Sequence, residues 1–217
     1  MSKQPGVAAI LLAAGESARM GSPKPLLPWF GRTLVEGQVE GLLEAGVKTV
    51  CVVTGHRGAE VAAAVGGSPI FTRWVLQEDR RVVVTDNPRY RAGKTTSIKA
   101  GLAALPPHAG AVVVLAVDQP RPASVTRRVL ESHLASGRPV TSPRYEGHGG
   151  HPLVFSAELR RELEAISEER EGLREVMRRH ASEINWVAFD DPVVRLDLNT
   201  PEAYQRALMS YPRPHAT

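Results

Sequence analysis

The chain of 217 residues contains a single cysteine and few aromatic residues, which make up 5% of the sequence. Because one cysteine cannot form an intramolecular disulfide, the disulfide framework of small secreted domains is excluded. No apolar run approaches the roughly 20 residues that are needed to span a bilayer. The apolar segment 7–14 also lacks the basic start and the cleavage pattern of a signal peptide. These absences predict a cytoplasmic protein without a membrane segment.

The formal net charge of +4 arises from 27 basic and 23 acidic residues that are dispersed along the chain. Domains that bind nucleic acids usually combine a basic patch with aromatic side chains that stack on bases, and this chain shows neither. Small anionic ligands account for the positive charge equally well. We therefore expect no nucleic-acid partner, and strong salt-dependent affinity for an oligonucleotide would contradict this expectation.

Short β-branched runs alternate with amphipathic segments that are rich in alanine and leucine, a pattern typical of βα units around a largely parallel sheet. Residues 111–117 form the most continuously apolar run, as expected for a strand that is buried on both faces. We predict a three-layer, Rossmann-like α/β fold with helices on both faces of a mostly parallel, twisted sheet. Because no linker or repeat interrupts the pattern, we predict one domain over residues 1–211 and a disordered tail over 212–217.

The loop after the first predicted strand is a candidate ligand site, since open parallel sheets bind ligands outside the carboxyl ends of their strands. Residues 12–24 combine small side chains with the cations Arg19 and Lys24. The loop contains neither the Gly-x-Gly-x-x-Gly of dinucleotide-binding folds nor the Gly-Lys-Ser/Thr of a P-loop. Its composition fits a polyphosphate site, and it also fits a flexible surface loop.

A carboxylate follows each of two apolar runs, Asp118 after residues 111–117 and Asp197 after residues 193–196. Such a carboxylate contributes nothing to packing and is costly unless it is solvated, paired or bound to a metal. Each aspartate could instead cap the helix that follows it, although Asn199 or Thr200 suits the last helix better. Two carboxylates that face a basic loop predict a Mg²⁺ site that bridges phosphate oxygens.

Five segments that are spread over nearly the whole sequence carry a resemblance. They are Leu-Ala-Ala-Gly-Glu-Ser-Ala-Arg-Met-Gly-Ser-Pro-Lys-Pro-Leu-Leu-Pro at 12–28, Asn-Pro at 87–88 with Gly93, Ser97 and Gly-Leu at 101–102, Val-Asp-Gln-Pro at 117–120, Gly-His-Pro at 150–152 and Asp-Leu-Asn-Thr-Pro-Glu-Ala-Tyr at 197–204. In this order they resemble the MobA-like NTP transferases. The start Leu-Ala-Ala-Gly is similar to the molybdenum-cofactor cytidylyltransferase branch, whereas guanylyltransferases carry Leu-Ala-Gly-Gly.

The resemblance implies a nucleotidyltransferase that moves CMP from CTP to the phosphate of molybdopterin and releases pyrophosphate. It implies Mg²⁺, or alternatively Mn²⁺, as the cofactor, and a molybdenum enzyme as the recipient of the product. It assigns Leu12, Ala13, Ala14 and Gly15 to the base and ribose, and Gly93 and Ser97 to the nucleotide side. It assigns Arg19 and Lys24 to the triphosphate, and these two residues together with Asp118 to catalysis. It assigns Asp118 and Asp197 to the metal, and Gly150 and His151 to the acceptor.

Two segments on the acceptor side depart from the family pattern. Gly149 stands where relatives commonly carry the arginine of Arg-Gly-His-Pro, and residues 169–174 differ from Gly-Asp-x-Gly-x-Arg. A sugar or alcohol phosphate is therefore an alternative acceptor. A non-catalytic nucleotide-binding protein that serves a molybdenum enzyme is a further alternative, although it would need no metal-positioning pair. A hydrolase is disfavoured because no Gly-x-Ser-x-Gly occurs.

Overall fold

The computed structural model of the chain describes residues 6–17, 20–68, 74 and 80–212, and in these ranges it forms ten strands and seven α-helices. Among the described residues, no helix is long and apolar enough to cross a membrane. The strands are β1 (Val7–Leu12), β2 (Pro28–Trp29), β3 (Arg32–Thr33), β4 (Thr49–Thr54), β5 (Arg81–Asp86), β6 (Ala111–Ala116), β7 (Val140–Tyr145), β8 (His148–Gly149), β9 (Leu153–Ser156) and β10 (Ile184–Ala188). The helices are α1 (Leu34–Glu44), α2 (Gly58–Gly66), α3 (Lys94–Ala104), α4 (Ala123–Ser136), α5 (Arg160–Ala165), α6 (Leu173–Arg179) and α7 (Pro201–Ser210).

Eight strands form one sheet in the order β10-β7-β9-β6-β1-β4-β5, with β8 paired to β7. Strands β6, β1, β4 and β5 are parallel neighbours, and so are β7 and β10. Strand β9 runs antiparallel between β6 and β7, so its first residue, Leu153, pairs with Val114 near the end of β6. The prediction of a mostly parallel sheet is confirmed, and the reversed strand is an addition that the sequence pattern did not predict.

Helices cover both faces of this sheet. Successive side chains of β1 enter two separate apolar cores, as expected for a strand that is buried on both sides. Ala9 and Leu11 pack with residues of α1, α2, α4 and α7. Ala8 and Ile10 pack with residues of α3, α5 and α6. The predicted three-layer architecture is therefore confirmed, whereas the tail residues 213–217 lie outside the described part of the chain.

Helix α3 lies unusually close to the sheet, and this closeness places its first turn beside the strand ends. A Cβ atom at Gly101 would lie 2.6 Å from Cγ2 of Ile10, so only glycine permits the approach. The buried amide of Asn87 donates to the hydroxyls of Thr96 and Ser97, both at 2.9 Å. These bonds fix the loop before α3 to the helix, so the loop and the first turn form one rigid wall.

Strands β7 and β8 form a short hairpin, in which β8 pairs with the end of β7. Its two turn residues, Glu146 and Gly147, have φ angles of 46° and 78°, which matches the tight turns that suit the twist of a hairpin. The hairpin pairs through Arg144 with Gly149 and through Tyr145 with His148. The chain then continues through residues 150–152 into β9.

Candidate active site

A small cavity of about 230 Å³ opens at the carboxyl ends of β1 and β6. The N–H of Val117 donates to the carbonyl of Leu12 at 2.9 Å, and the N–H of Ala13 donates to Val53 at 2.8 Å. The chain after β1 therefore continues the sheet before it turns away, and this continuation lines the cavity. The predicted residues that line this cavity are Leu12, Ala13, Ala14, Gly15, Lys24, Gly93, Ser97 and Asp118.

The ammonium group of Lys24, which lines this cavity, joins two segments that are distant in the sequence. Lys24 Nζ lies 2.7 Å from Asp118 Oδ2 and 2.9 Å from Asn199 Oδ1. The side chains of Lys24 and Asp118 are only 12% and 24% exposed, so water screens the pair weakly. The N–H of Leu198 donates to the carbonyl of Asp118 at 2.8 Å, and this bond holds the segment that carries Asn199 in place.

The carboxylate of Asp118 and the amide oxygen of Asn199 converge on one cationic centre, as the hard oxygen ligands of Mg²⁺ or Mn²⁺ do. No group of three or more His, Cys, Asp or Glu side chains that could hold a metal occurs within the described ranges. A divalent ion would thus take its remaining ligands from water or phosphate, which is common for Mg²⁺. The donor set fits such an ion if Lys24 moves away.

A larger cavity of about 810 Å³ adjoins the first. The segment before β9, the edge of β10 and helix α6 line it, and the predicted residues Gly150, His151 and Asp197 lie here. Burial, together with the positive charges of Arg121 and Lys94, lowers the pKa of His151 to about 3. His151 is therefore neutral near pH 7 and can donate or accept a hydrogen bond with a ligand without adding charge.

Arg121 joins the segment that carries His151 to the segment before Asp197, and both of these residues line the large cavity. It is 3% exposed and donates to the carbonyls of His151 at 2.9 Å, Leu196 at 2.8 Å and Val194 at 2.9 Å. Burial lowers its pKa to about 10, partly offset by the carboxylate of Asp197, so the guanidinium stays charged at neutral pH. Arg121 was not among the predicted site residues, although its place directly after Asp-Gln-Pro at 118–120 was a usable signal.

Residues 9–184 match the family model of the MobA-like NTP transferase domain. The chain belongs to the MobA-like NTP transferase family. The match covers most of the chain and includes both cavity walls that β1 and β6 provide. The resemblance that we identified in the sequence motifs is thereby confirmed.

Several relatives of this MobA-like transferase are similar over almost their whole length. The nicotine blue oxidoreductase of Paenarthrobacter nicotinovorans is 34% identical over 213 residues, which are 94% of this chain and 97% of the relative. The molybdenum cofactor cytidylyltransferase of Escherichia coli K12 is 26% identical over 210 residues, 93% and 95% of the two chains. The crystal structure of Rv0371c from Mycobacterium tuberculosis H37Rv has a TM-score of 0.74 at 27% identity, covering 96% of this chain and 100% of that one. The same protein has also been solved with manganese, with a TM-score of 0.72 at 25% identity.

In this MobA-like transferase the predicted site residues divide between the two cavities. Lys24 and Asp118 lie together in the small cavity, whereas Asp197 lines the large one, so the predicted pair of metal ligands faces two different spaces. Arg19 lies outside the described residues. Asn199 was considered only as a helix cap, but Thr200 caps α7 by accepting from the N–H of Ala203. The predicted roles of all these residues remain predictions.

Proposed function

We propose that this protein is a metal-dependent cytidylyltransferase that transfers CMP from CTP to the phosphate of molybdopterin. The observation that carries the proposal is the pair of adjoining cavities, which share Leu12, Lys94 and Ala116 as lining residues. A transferase that joins two substrates needs two sites that meet at the reacting atoms. The small cavity suits the phosphates and ribose of a nucleotide, and the large one suits a bulkier acceptor.

The reaction is an in-line displacement at phosphorus. An oxygen of the acceptor phosphate forms a bond to the α-phosphorus of CTP, the bond to the α,β-bridging oxygen breaks, and the electron pair leaves on pyrophosphate. A phosphomonoester is a competent nucleophile near neutral pH, so no general base is required. A divalent ion, held by Asp118 and Asn199, would neutralise phosphate charge, whereas Asp197 faces the large cavity.

The protein's own part in this reaction is to position the substrates and balance their charge. We propose that the ammonium of Lys24 leaves the carboxylate of Asp118 and binds the triphosphate when nucleotide and metal bind. The ammonium and a divalent ion cannot share the same two oxygens. Neutral His151 would hydrogen bond to the acceptor. Arg121 would hold the carbonyls on either side of the acceptor entrance in place.

The test is pyrophosphate release from CTP, ATP or GTP with Mg²⁺ or Mn²⁺ and a panel of acceptors. Molybdopterin is expected to give the highest rate with CTP, and Asp118→Ala to lower turnover at least about 100-fold with little change in thermal unfolding. The exposed Asp190→Ala is the matched control. Near-normal turnover in Asp118→Ala would refute the metal assignment. A higher rate with a sugar or alcohol phosphate than with molybdopterin would identify that phosphate as the acceptor.

A second candidate function is oxidoreduction, favoured by the 34% identity to nicotine blue oxidoreductase over 97% of that protein. The first loop lacks the glycine fingerprint of dinucleotide-binding folds, which argues against it. Oxidation of NADH or NADPH with a planar aromatic acceptor, in the absence of CTP, tests this candidate directly. If the protein neither transfers CMP nor oxidises NADH, but nucleotides still raise its unfolding temperature, the non-catalytic binding protein becomes the favoured function.

A further inference from the structure

Lys94 occupies the junction of the two cavities. It is the first residue of α3 and lines both spaces, and the other described residues that do so, Leu12 and Ala116, carry no charge. The side chain is exposed, and no hydrogen bond or ion pair joins it to another residue of the described chain. Its charge also contributes to the low pKa of His151 on the acceptor side. Lys94 is therefore a cation that remains available to ligands in either cavity.

The position of Lys94 is unfavourable for the stability of its helix. The first turn of a helix carries a partial positive charge, so a cation there is repelled, and this turn holds no acidic residue of its own. The N–H of Thr95 is already bound to the carboxylate of Glu168 at 2.6 Å. Since a lysine at this point does not stabilise the helix, its presence calls for a reason outside folding.

Among the described residues, the cations Lys24 and Arg121 are already bound to protein groups, and Arg174 lines only the large cavity. Lys24 is held by Asp118 and Asn199, and Arg121 is held by backbone carbonyls. Transfer between two phosphates brings a nucleotide anion against a phosphomonoester that carries a charge of roughly −1.5 to −2 near pH 7. That approach is repulsive unless a cation lies between the two groups.

We propose that Lys94 is a catalytic residue whose ammonium contacts the acceptor phosphate and the α-phosphate of the nucleotide together. The assignment rests on the proposed transfer of CMP and adds a residue that the family motifs do not contain. The ammonium holds the two anions in contact and balances the charge that builds up on the oxygens of the α-phosphate as the new bond forms. It forms no covalent bond and accepts no proton.

The first experiment compares Lys94→Gln and Lys94→Arg with Lys99→Gln, an exposed lysine of the same helix that lines neither cavity. Lys94→Gln is expected to lower kcat/KM for CMP transfer at least about 100-fold, with an unfolding temperature equal to or above that of the wild type. Lys94→Arg should retain part of the activity, and Lys99→Gln should match the wild type. Wild-type turnover in Lys94→Gln would overturn the assignment.

The second experiment measures binding and does not depend on turnover. Inorganic phosphate, as a probe for the acceptor phosphate, is titrated calorimetrically into each protein after saturation with a non-transferable CTP analogue. We expect at least about tenfold weaker binding of phosphate to Lys94→Gln than to the wild type and to Lys99→Gln. Equal binding in all three proteins, or no binding to the wild type, overturns the assignment.

The two experiments separate failure of this assignment from failure of the proposed function. If the CTP analogue does not bind, the cytidylyltransferase function is wrong. Phosphate is then titrated into the proteins without nucleotide, and its binding to Lys94→Gln is again compared with its binding to the wild type and to Lys99→Gln. If the wild type transfers CMP while Lys94→Gln transfers it equally well, the function stands and the role of Lys94 is wrong.

Discussion

Replacing Lys24 with methionine should tighten metal binding and weaken nucleotide binding at the same time. Methionine preserves most of the length and apolar volume of the lysine but removes its charge. In the wild type the ammonium occupies the space between Asp118 and Asn199, so a divalent ion must displace it. The variant leaves both oxygens free for the metal, and it also lacks the cation that we propose for the triphosphate.

The size of the effect follows from the geometry of the pair. For two unit charges 2.7 Å apart, Coulomb's law gives about 1.5 kcal/mol in water and about 6 kcal/mol at an effective dielectric constant of about 20. The cost of removing both groups from water offsets much of the larger figure. A net contribution of about 1–2 kcal/mol corresponds to a gain in metal affinity of about 5- to 30-fold.

The assay is a titration with Mn²⁺ in the absence of nucleotide, in which electron paramagnetic resonance measures the free ion. We expect Lys24→Met to bind Mn²⁺ more tightly than the wild type, Asp118→Asn to lose binding, and Lys99→Met to behave as the wild type. The affinity of Lys24→Met for CTP should fall at least about tenfold. Unchanged or weaker Mn²⁺ binding in Lys24→Met would show that the ammonium does not compete for the metal site.

Three further predictions concern the large cavity. Trp186 lines it and is 39% exposed, so Trp186→Phe should remove most of the acceptor-induced change in tryptophan fluorescence, and a full response in the variant would place the acceptor elsewhere. A Cβ atom at Gly150 would overlap the carbonyl of Val194, so Gly150→Ala should cost about 2 kcal/mol, which lowers the unfolding midpoint of a chain of this size by roughly 4–8 °C. An unchanged midpoint would mean that the backbone adjusts freely. The pKa of His151 is about 3 in the folded protein and about 6.5 when unfolded, so its contribution to stability is present above pH 6.5 and is lost as the pH falls below it. By pH 5.5 the loss in the free energy of unfolding should reach about 1.4 kcal/mol in denaturant titrations, and it should be smaller in His151→Gln. An identical pH dependence in the wild type and in His151→Gln would contradict the burial of a neutral imidazole.

The sheet and its helical layers could be predicted because burial on both faces leaves a direct trace in the sequence. Residues 111–117 are almost entirely apolar, and the structure makes them the central strand β6 and its extension. Strand β9 was not predictable, since it has only four residues and directly follows Pro152. Its existence depends on pairing with β6 and β7, which no local pattern encodes.

The site was predictable where it depends on strand ends, and it was not where it depends on contacts between distant segments. Asp118 and the loop after β1 meet because parallel strands end at the same edge of the sheet. The bond between Lys24 and Asn199 joins residues that are 175 positions apart. The carbonyls that hold Arg121 belong to segments outside the sheet strands, and only the folded chain determines the course of these segments.

The reversed direction of β9 has a consequence for how this enzyme family can change its substrates. Because β9 begins where β6 ends, the wall formed by residues 150–152 is delivered to the reaction edge by a hairpin, not by a βα loop. In the described chain, β8 is joined to the sheet by two residue pairs with β7, so we expect that the tip of the hairpin can lengthen, shorten or be exchanged without disturbing β1 and β6. We expect that grafting the tip of one relative onto another transfers the proposed acceptor preference and leaves the proposed nucleotide site unchanged.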